Sequence, residues 1–366
     1  MYYLDYDGLP TRNKFDINRY KFFLCDSIQF DMLSKSDFIQ AFTHLGRKLH
    51  PSTSGISDVI EESYLKNNWF TEENVTFCLD NWRICLTEDN LKQWLVSVPE
   101  RNASPKTIGI IMAGNIPMVG FHDILSVLST GNKALVKLSD KDEVLMKYCI
   151  KTLIAHEPEL EHYIEVTDRV LKPDGIIATG SNNSSRYFEY YFKEIPHIIR
   201  KNRTSVAILT GNETEEELGA LSDDIFQYFG LGCRNVTKLY VPENYDMVPL
   251  LDATSGYAEV ANHNKYANNT TYHRAIFLMN LTEHLDTGYL LVKEDEKLHP
   301  PLSCLFYQRY TDKNQLSDWL TDSKEEIQAV VSHLDSPGHI PFGQAQTPGL
   351  ADYADGVNTL EFLTNL

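Results

Sequence analysis

Apolar residues recur at helical spacing through the first hundred residues of the chain. The segment 36–48 shows this spacing, and Ser36, with which it opens, suits an N-cap. Two further helices are predicted after Thr71 and Thr87, because each threonine is followed by acidic residues that favour a first helical turn. The pattern therefore predicts a mostly helical lead-in over residues 1–100.

From residue 107 onwards, short apolar runs alternate with segments of helical spacing. Strands are predicted at 107–114, 133–138, 175–180 and 205–211, with helices over 118–131, 141–155 and about 183–193 between them. Two strands joined by a helical crossover pair in parallel. The repeated β-α-β pattern therefore predicts a doubly wound α/β domain.

A second block begins near residue 212 with an acidic helix over 213–230, followed by a strand at 236–242. Residues 244–335 mix further helices and strands. The final segment starts at the glycine- and proline-rich 339–349, and an edge strand is predicted for 358–363. A chain of 366 residues with 42% hydrophobic residues can bury a core in more than one such unit.

Charge and composition exclude several classes of protein. The net charge of −18 lacks the basic footprint of a nucleic-acid-binding surface. The 17 Phe, 20 Tyr and 4 Trp are too many aromatic residues for a disordered chain. No run approaches 18 apolar residues, so we expect no membrane span, and the first residues lack the apolar run of a signal peptide.

Cysteine and histidine spacing indicates neither a disulfide framework nor a metal site. The six cysteines include no CxxC pair, which favours a reducing, cytoplasmic compartment. His263, His273 and His299 lack the spacing of a metal-binding motif, so no metal is predicted.

Cys233 is the cysteine best suited to chemistry. Gly230 and Gly232 place it in a tight loop between a helix and a strand, and Arg234 follows it directly. A nucleophilic thiol must be accessible to its substrate and must have a depressed pKa, and a neighbouring cation lowers the pKa. The alternative is an inert, buried cysteine.

Polar residues follow three of the predicted strands. Asn115 comes directly after the first strand, where its amide could donate to an oxyanion, although it also suits a turn before a proline. Lys137 ends the second strand and could reach a ribose or phosphate, or be a solvated charge. Gly180 and Ser181 form a small turn before a helix, which suits either a phosphate or an ordinary N-cap.

The densest basic cluster is Arg200, Lys201 and Arg203. In an acidic chain such a cluster could attract the phosphates of CoA or NADP. The alternative is a solvated surface.

The order of these features resembles the aldehyde dehydrogenase superfamily, and in particular LuxC-like acyl-CoA reductases. Four motifs carry the resemblance, which covers roughly residues 100–366: AGNIPMVGFHDILSVLSTGNKALVKLSD (113–140), ATGS (178–181), GLGCRNVTKLYV (230–241) and IPFGQAQTPGLADYADGVNTLEFL (340–363). The implied fold is aldehyde dehydrogenase-like, with two doubly wound α/β domains and open parallel sheets. The implied parts are a helical lead-in with a nicotinamide cofactor-binding domain over 1–211, a catalytic domain over 212–335 and a returning segment over 336–366.

The resemblance also implies roles for matched residues. Cys233 would be the nucleophile, and Asn115 with the Cys233 backbone N–H would form the oxyanion hole. The cofactor-binding residues would be Lys137, Ser139, Gly180 and Ser181.

The implied reaction is reduction of a long-chain fatty acyl-CoA to an aldehyde, with release of CoA through a thioester on Cys233. NADPH is the implied cofactor, and NADH stays open because Asp140, three residues after Lys137, would repel a 2′-phosphate. Ile208 stands about where hydrolytic relatives carry a water-activating glutamate, which favours acyl transfer over oxidation to an acid.

Partners and alternatives follow from the same resemblance. A homodimer or higher homo-oligomer is expected, although the region before Thr107 is too short for the superfamily's long oligomerisation hairpin. Acyl-transferase or synthetase subunits are candidate partners. The alternative functions are an acyl-phosphate reductase of the same superfamily, and a cysteine acyl carrier or acyltransferase without hydride transfer.

Overall fold

A computed structural model describes residues 33–334 and 336–366. Cys25 and the first third of the predicted lead-in lie outside the described residues. The described part of the lead-in contains four helices: α1 (Lys35–Lys48), α2 (Ile56–Lys66), α3 (Glu72–Cys85) and α4 (Glu88–Trp94). Thr71 and Thr87 are the predicted N-caps of α3 and α4, whereas α1 is capped by Ser34 and starts one residue before Ser36.

The first sheet contains five parallel strands in the order β3-β2-β1-β4-β5. Its strands are β1 (Thr107–Ile111), β2 (Lys133–Lys137), β3 (Ile164–Val166), β4 (Gly175–Thr179) and β5 (His197–Arg200), and its helices are α5 (Phe121–Ser129), α6 (Glu143–His156) and α7 (Asn182–Phe192). The chain winds from β1 towards β3 and then from β4 towards β5, which confirms a doubly wound sheet.

The second sheet contains seven strands in the order β12-β11-β6-β7-β10-β9-β8, and its pairs are parallel except β8 with β9. The strands are β6 (Thr204–Ile208), β7 (Val236–Pro242), β8 (Leu285–Asp286), β9 (Leu291–Glu294), β10 (Cys304–Tyr310), β11 (Ile327–Val331) and β12 (His339–Ile340). The helices are α8 (Glu215–Phe226), α9 (Val248–Ala253), α10 (Asn264–Met279) and α11 (Lys313–Asp322).

The edge strands β3 and β5 lie where the sequence predicted no element, and two further details differ from the sequence predictions. Residues 358–363 do not form an edge strand, because most of them lie in helix α12 (Thr359–Thr364), which Asn358 caps by accepting from the Glu361 backbone N–H. Strand β6, included in the predicted first domain, pairs with β7 and β11 of the second sheet. A fully buried strand has the same apolar pattern in either sheet, so the sequence could not assign it. The boundary at 211 stays a prediction.

The returning C-terminal segment joins the two sheets. After β12 at the edge of the second sheet, it passes back to the hydrophobic core that the lead-in helices share with the first sheet. Leu350, Leu360 and Leu363 are buried in this core. The side chain of Asn132, at the start of β2, donates to the Leu363 carbonyl at 3.4 Å. Within the described residues, the helices are too short or too polar to cross a bilayer.

Candidate active site

Cys233 lies in a tightly organised loop at the amino end of β7. The chain leaves α8 through two left-handed residues, Tyr228 and Phe229, and Gly230 continues with a positive φ of 74°. The buried amide of Asn235 closes the loop, since its oxygen accepts from the Gly232 N–H at 2.8 Å and its nitrogen donates to the Gln227 carbonyl at 2.8 Å. The loop is therefore fixed on both sides of the half-buried thiol.

The Cys233 side chain borders a cavity of about 170 Å³. Helix α3, the segment 116–122 and the C-terminal segment 346–354 form most of its walls. Trp82, Pro117 and Leu350 make these walls largely apolar. Among the described residues that line the cavity, Asp352 is the one carboxylate, and it accepts from the Gly349 backbone N–H at 2.7 Å.

Burial dominates the titration of Cys233. Desolvation raises the pKa of its thiol, Arg234 and Arg200 lower it in part, and Asp355 raises it further. The sequence-based expectation that Arg234 depresses this pKa is therefore right in direction but is outweighed by burial. Burial therefore disfavours the thiolate, and a reaction at Cys233 has to stabilise the thiolate as it forms.

Asn115 is brought to the Cys233 loop. It follows β1 at the carboxyl edge of the first sheet, and its Nδ2 donates to the Leu231 carbonyl oxygen at 2.7 Å. Leu231 precedes Cys233 by two residues, so the two residues that the sequence paired lie on adjoining loops of different sheets. An amide nitrogen has two hydrogens, and the Leu231 bond uses one of them.

The four predicted cofactor-binding residues lie at one edge of the first sheet. Ile111 of β1 pairs with Lys137 of β2 and with Ala178 of β4, so the residues that follow these strands share the carboxyl edge. Lys137 is exposed there, and Ser139 packs so closely on Gly114 that a Cβ on that glycine would overlap its hydroxyl. Their role in cofactor binding stays a prediction.

The turn at Gly180 and Ser181 also has a structural role. Ser181 is the N-cap of α7 and accepts from the Ser184 backbone N–H at 3.3 Å. A Cβ on Gly180 would lie 2.9 Å from Ser184 Cβ, so glycine permits the close approach of strand and helix. The N-cap function leaves the first backbone amides of α7 available at the same edge.

The basic cluster is not a free cationic surface. Arg200 is buried and pairs with Asp123 at 2.7 Å, and Arg203 pairs with Asp355 at 3.1 Å. Lys201 is exposed and contacts Glu189 at 2.8 Å. The hypothesis that this cluster attracts CoA or NADP phosphates is therefore not supported, because each cation already has a carboxylate partner.

Other residues singled out by sequence have structural surroundings. Ile208 is buried beside Val206 and Tyr240 in the second sheet, so no carboxylate stands at that position. His263 caps α10 and its Nε2 lies 3.0 Å from the Asn68 carbonyl oxygen. No cluster of His, Cys, Asp or Glu suited to a metal ion occurs in the described part of the chain.

Sequence reasoning missed two residues that shape the site. Asn235 fixes the Cys233 loop, and the signal was present as an asparagine two residues after the cysteine. Asp142 accepts from the Met118 backbone N–H at 2.7 Å, behind the Asn115 loop. In the sequence, Asp142 is an aspartate before a helix, where an N-cap is the ordinary interpretation.

Comparisons with known proteins agree with this architecture. The chain resembles aldehyde dehydrogenase 21 from Physcomitrella patens, crystallised with the reaction product succinate, with a TM-score of 0.66, 10% identity and coverage of 91% of this chain and 84% of that one. It also resembles an oxidoreductase from Marinobacter aquaeolei (TM-score 0.62, 10% identity, 86% and 78% covered). A third similar structure is an aldehyde dehydrogenase from Bacillus cereus in complex with NAD+, with a TM-score of 0.60, 10% identity and coverage of 83% of this chain and 73% of that one. At such identities the likeness shows the fold alone.

Sequence comparison identifies the family. A search of curated proteins found no match. The model of the LuxC acyl-CoA reductase family, however, matches residues 67–249, half of the chain, and this range contains Asn115, Lys137 and Cys233. The fold, with its two sheets, is that of the aldehyde dehydrogenases. This chain therefore belongs to the LuxC family of acyl-CoA reductases.

Proposed function

We propose that this protein reduces a long-chain fatty acyl-CoA to the aldehyde with NADPH, through a covalent thioester on Cys233. The observation that carries the proposal is the Asn115–Leu231 hydrogen bond, which brings an amide donor to the loop of the half-buried thiol. The apolar cavity beside Cys233 supports an apolar acyl group. The family match supports the acyl-CoA reductase class.

In the first half of the proposed reaction, Cys233 replaces CoA. Its Sγ attacks the carbonyl carbon of the substrate thioester, a new C–S bond forms and the C–S bond to CoA breaks. CoA leaves as a thiol and takes the proton that Cys233 lost. Arg234 favours the transient thiolate, since its positive charge lowers the pKa that burial raises.

The developing oxyanion needs donors that are already in place. We assign this role to the second hydrogen of Asn115 Nδ2 and to the Cys233 backbone N–H, because the Leu231 bond fixes the orientation of the Asn115 amide. Preorganised donors of this kind stabilise the transition state without a reorganisation cost.

In the second half, a bound nicotinamide would supply a hydride to the acyl carbon. The described residues fit such a cofactor, because exposed Lys137 has no carboxylate partner among them and the amino end of α7 faces the same edge. Lys137 and Ser139 would contact the ribose, and Gly180 and Ser181 the pyrophosphate. Cys233 would then leave the reduced carbon as a thiolate, the aldehyde would be released, and a proton from the solvent would restore the thiol.

Hydrolysis of the acyl-enzyme is expected to be slow. Ile208 supplies no base, and the cavity carboxylate of Asp352 is already hydrogen-bonded to Gly349. Transfer to and from CoA is therefore the favoured fate of the thioester.

The test combines kinetics with mass spectrometry. Purified protein is mixed with acyl-CoA substrates of increasing chain length and with NADPH or NADH, and cofactor oxidation is followed by absorbance. We expect NADPH oxidation with release of free CoA, and an acyl adduct on Cys233 when the cofactor is withheld. The Cys233→Ala variant should lose both signals, whereas Cys85→Ala, which removes another thiol of the same cavity, should keep the adduct.

The outcomes separate the candidate functions. An adduct that forms without any oxidation of NADPH or NADH would favour an acyl carrier or acyltransferase. Activity with an acyl phosphate that free CoA does not affect would favour the acyl-phosphate reductase. A Cys233→Ala variant as active as the wild type would refute the covalent mechanism.

A further inference from the structure

A buried aspartate supports the Asn115 loop from behind. Asp142 is 3% exposed, and its Oδ2 accepts from the backbone N–H of Met118 at 2.7 Å. Met118 lies three residues after Asn115 and has a left-handed φ of 54°, which is uncommon for a residue with a side chain. The loop conformation therefore depends on contacts that favour it over its ordinary alternatives.

The Asp142 side chain is diverted from its own helix. Asp142 occupies the N-cap position of α6, yet its side chain makes no capping hydrogen bond there. An N-cap aspartate ordinarily accepts from the first free N–H groups of its helix. Here Oδ2 of Asp142 accepts instead from Met118, in the loop between β1 and α5.

Among the described residues, no cation compensates the carboxyl group. Burial raises the pKa of Asp142 well above its usual range, and the Met118 N–H bond offsets this only in part. Its second oxygen, Oδ1, is buried without a hydrogen-bond partner among the described residues. A buried carboxyl group of this kind costs stability, and such groups occur where a specific contact is needed.

Two further contacts support the Asn115 loop, one from helix α3 and one from the connection after β2. The Cys78 thiol of α3 donates to the Pro117 carbonyl oxygen at 3.3 Å, beside Met118. At the other end, Gly114 packs on Ser139, whose carbonyl accepts from the Asp142 backbone N–H at 3.0 Å. The connection after β2, which carries Lys137 and Ser139, therefore supports the Asn115 loop along its length.

We infer that Asp142 is a positioning residue that fixes the Asn115 loop through the Met118 amide, and so sets the orientation of the oxyanion donor at Cys233. This inference rests on the proposed function, because Asn115 needs a fixed orientation only if it stabilises an oxyanion. Asp142 lies between β2 and α6, in the same connection as Ser139, which we expect to contact the cofactor. The residue that orients Asn115 would therefore lie beside the cofactor site.

The test is a double-mutant cycle. Asp142→Leu removes the acceptor and keeps the branched shape of the side chain, Asp142→Asn keeps an acceptor oxygen, and Asn115→Ala removes the donor. We expect Asp142→Leu to lower kcat roughly 10- to 100-fold with little change in KM, a part of the 10²–10³ that a lost oxyanion donor costs. Asp142→Asn should stay within about 3-fold of the wild type, because a neutral amide retains the bond to Met118.

The cycle discriminates positioning from general stability. In the Asn115→Ala background, Asp142→Leu should have almost no further effect on kcat, because the donor that it orients is gone. Independent, multiplicative losses would overturn the inference. So would an Asp142→Leu enzyme with wild-type kcat.

A second readout does not depend on activity. Hydrogen exchange of the peptide covering 115–121 should be faster in Asp142→Leu than in the wild type, and unchanged in Asp174→Ala. Asp174 is the matched control, since it accepts from the Thr107 backbone N–H at 2.8 Å at the opposite end of β1. Unchanged exchange in Asp142→Leu would also overturn the inference.

Failure of the proposed function gives a different pattern. If Cys233→Ala retains full activity, the covalent mechanism is wrong whatever Asp142 does. If Asn115→Ala retains full activity, the oxyanion role of Asn115 is wrong, and with it the reason to position that residue. If those two variants lose activity and Asp142→Leu does not, only the positioning role is wrong.

Discussion

The side-chain amide of Asn115 donates a 2.7 Å hydrogen bond to the Leu231 carbonyl oxygen, two residues before Cys233. Asn115 follows a strand of the first sheet, and Leu231 precedes a strand of the second. The bond therefore joins the two halves of the candidate site, and its geometry depends on how both sheets are placed.

Replacing Asn115 tests whether this amide acts on the reaction. Asn115→Ala should lower kcat for acyl-CoA reduction about 10²- to 10³-fold, because one oxyanion donor is lost. The control is Asn90→Ala, which removes a side-chain amide hydrogen bond of the same length, 2.7 Å, from α4 to the Ile84 carbonyl oxygen of α3; neither residue lines the Cys233 cavity. Steady-state kinetics on both variants check the prediction, and equal losses in the two would contradict it.

The charges around Cys233 predict opposite effects on its reactivity. Arg234→Gln should raise the thiol pKa further and slow alkylation at pH 7, whereas Asp355→Asn should lower this pKa and speed it. Because the thiolate is the reactive form, a higher pKa slows alkylation at a fixed pH and a lower pKa speeds it, so the two variants should move the rate in opposite directions. Iodoacetamide labelling of the Cys233 peptide, followed by mass spectrometry, measures both rates. Changes of the same sign in the two variants would refute the electrostatic account.

Periodicity predicted β1, β2 and β4 of the first sheet, because their apolar runs are a local signal, and it missed the edge strands β3 and β5. The runs at 107–114 and 133–138 contain β1 and β2, and the helix between them ends at Gly131, which has the positive φ expected after a helix. Thr71 and Thr87 were predicted as helix starts for the same reason. Long-range pairing is what the sequence does not show, since only the neighbours of β6 in space assign it to the second sheet.

The candidate site was predicted by motif order, and its environment was not. The sequence identified Cys233 and Asn115, and the structure brings their loops together. It could not indicate that burial outweighs Arg234, that Arg200 is paired with Asp123, or that Asp142 turns away from its helix. Each of these depends on which residues face each other across distant parts of the chain.

The Arg200–Asp123 pair predicts a stability effect rather than a binding effect. Both side chains are buried, the ion pair is 2.7 Å, and a second Arg200 nitrogen donates to Thr359 Oγ1 at 3.3 Å. Arg200→Met leaves a buried, uncompensated carboxylate, which costs about 3–5 kcal/mol of unfolding free energy.

Urea unfolding measures this cost, and Lys201→Met is the matched control. Lys201 pairs with Glu189 on the exposed surface, where an ion pair contributes little, so its loss should leave the unfolding midpoint unchanged. A similar shift for both variants would indicate that Arg200 is not specially important to the fold.

Asp224 predicts a pH-dependent contribution to stability. Its two carboxylate oxygens accept from the Gly343 N–H at 2.7 Å and the Ala345 N–H at 2.9 Å, which joins α8 to the returning segment. Burial raises the pKa of Asp224 from 3.8 to about 6, even though these two bonds act in the other direction. The folded state therefore binds this proton more tightly than the unfolded state does. The stability that this tighter proton binding adds to the folded state is fully present below about pH 4 and is lost as the pH rises through about 6.

Asp224→Asn isolates this effect, because the amide does not titrate. The amide also presents a donor to one of the two N–H groups, so the variant should be less stable than the wild type at low pH. Between pH 4 and 7 the difference in unfolding free energy should shrink by up to about 3 kcal/mol, as the wild type alone pays for ionising the buried group. Denaturant unfolding across this range measures the difference, and other titrating groups cancel in the subtraction. Parallel curves for the two proteins would show that the carboxyl group of Asp224 is solvated well enough to ionise normally.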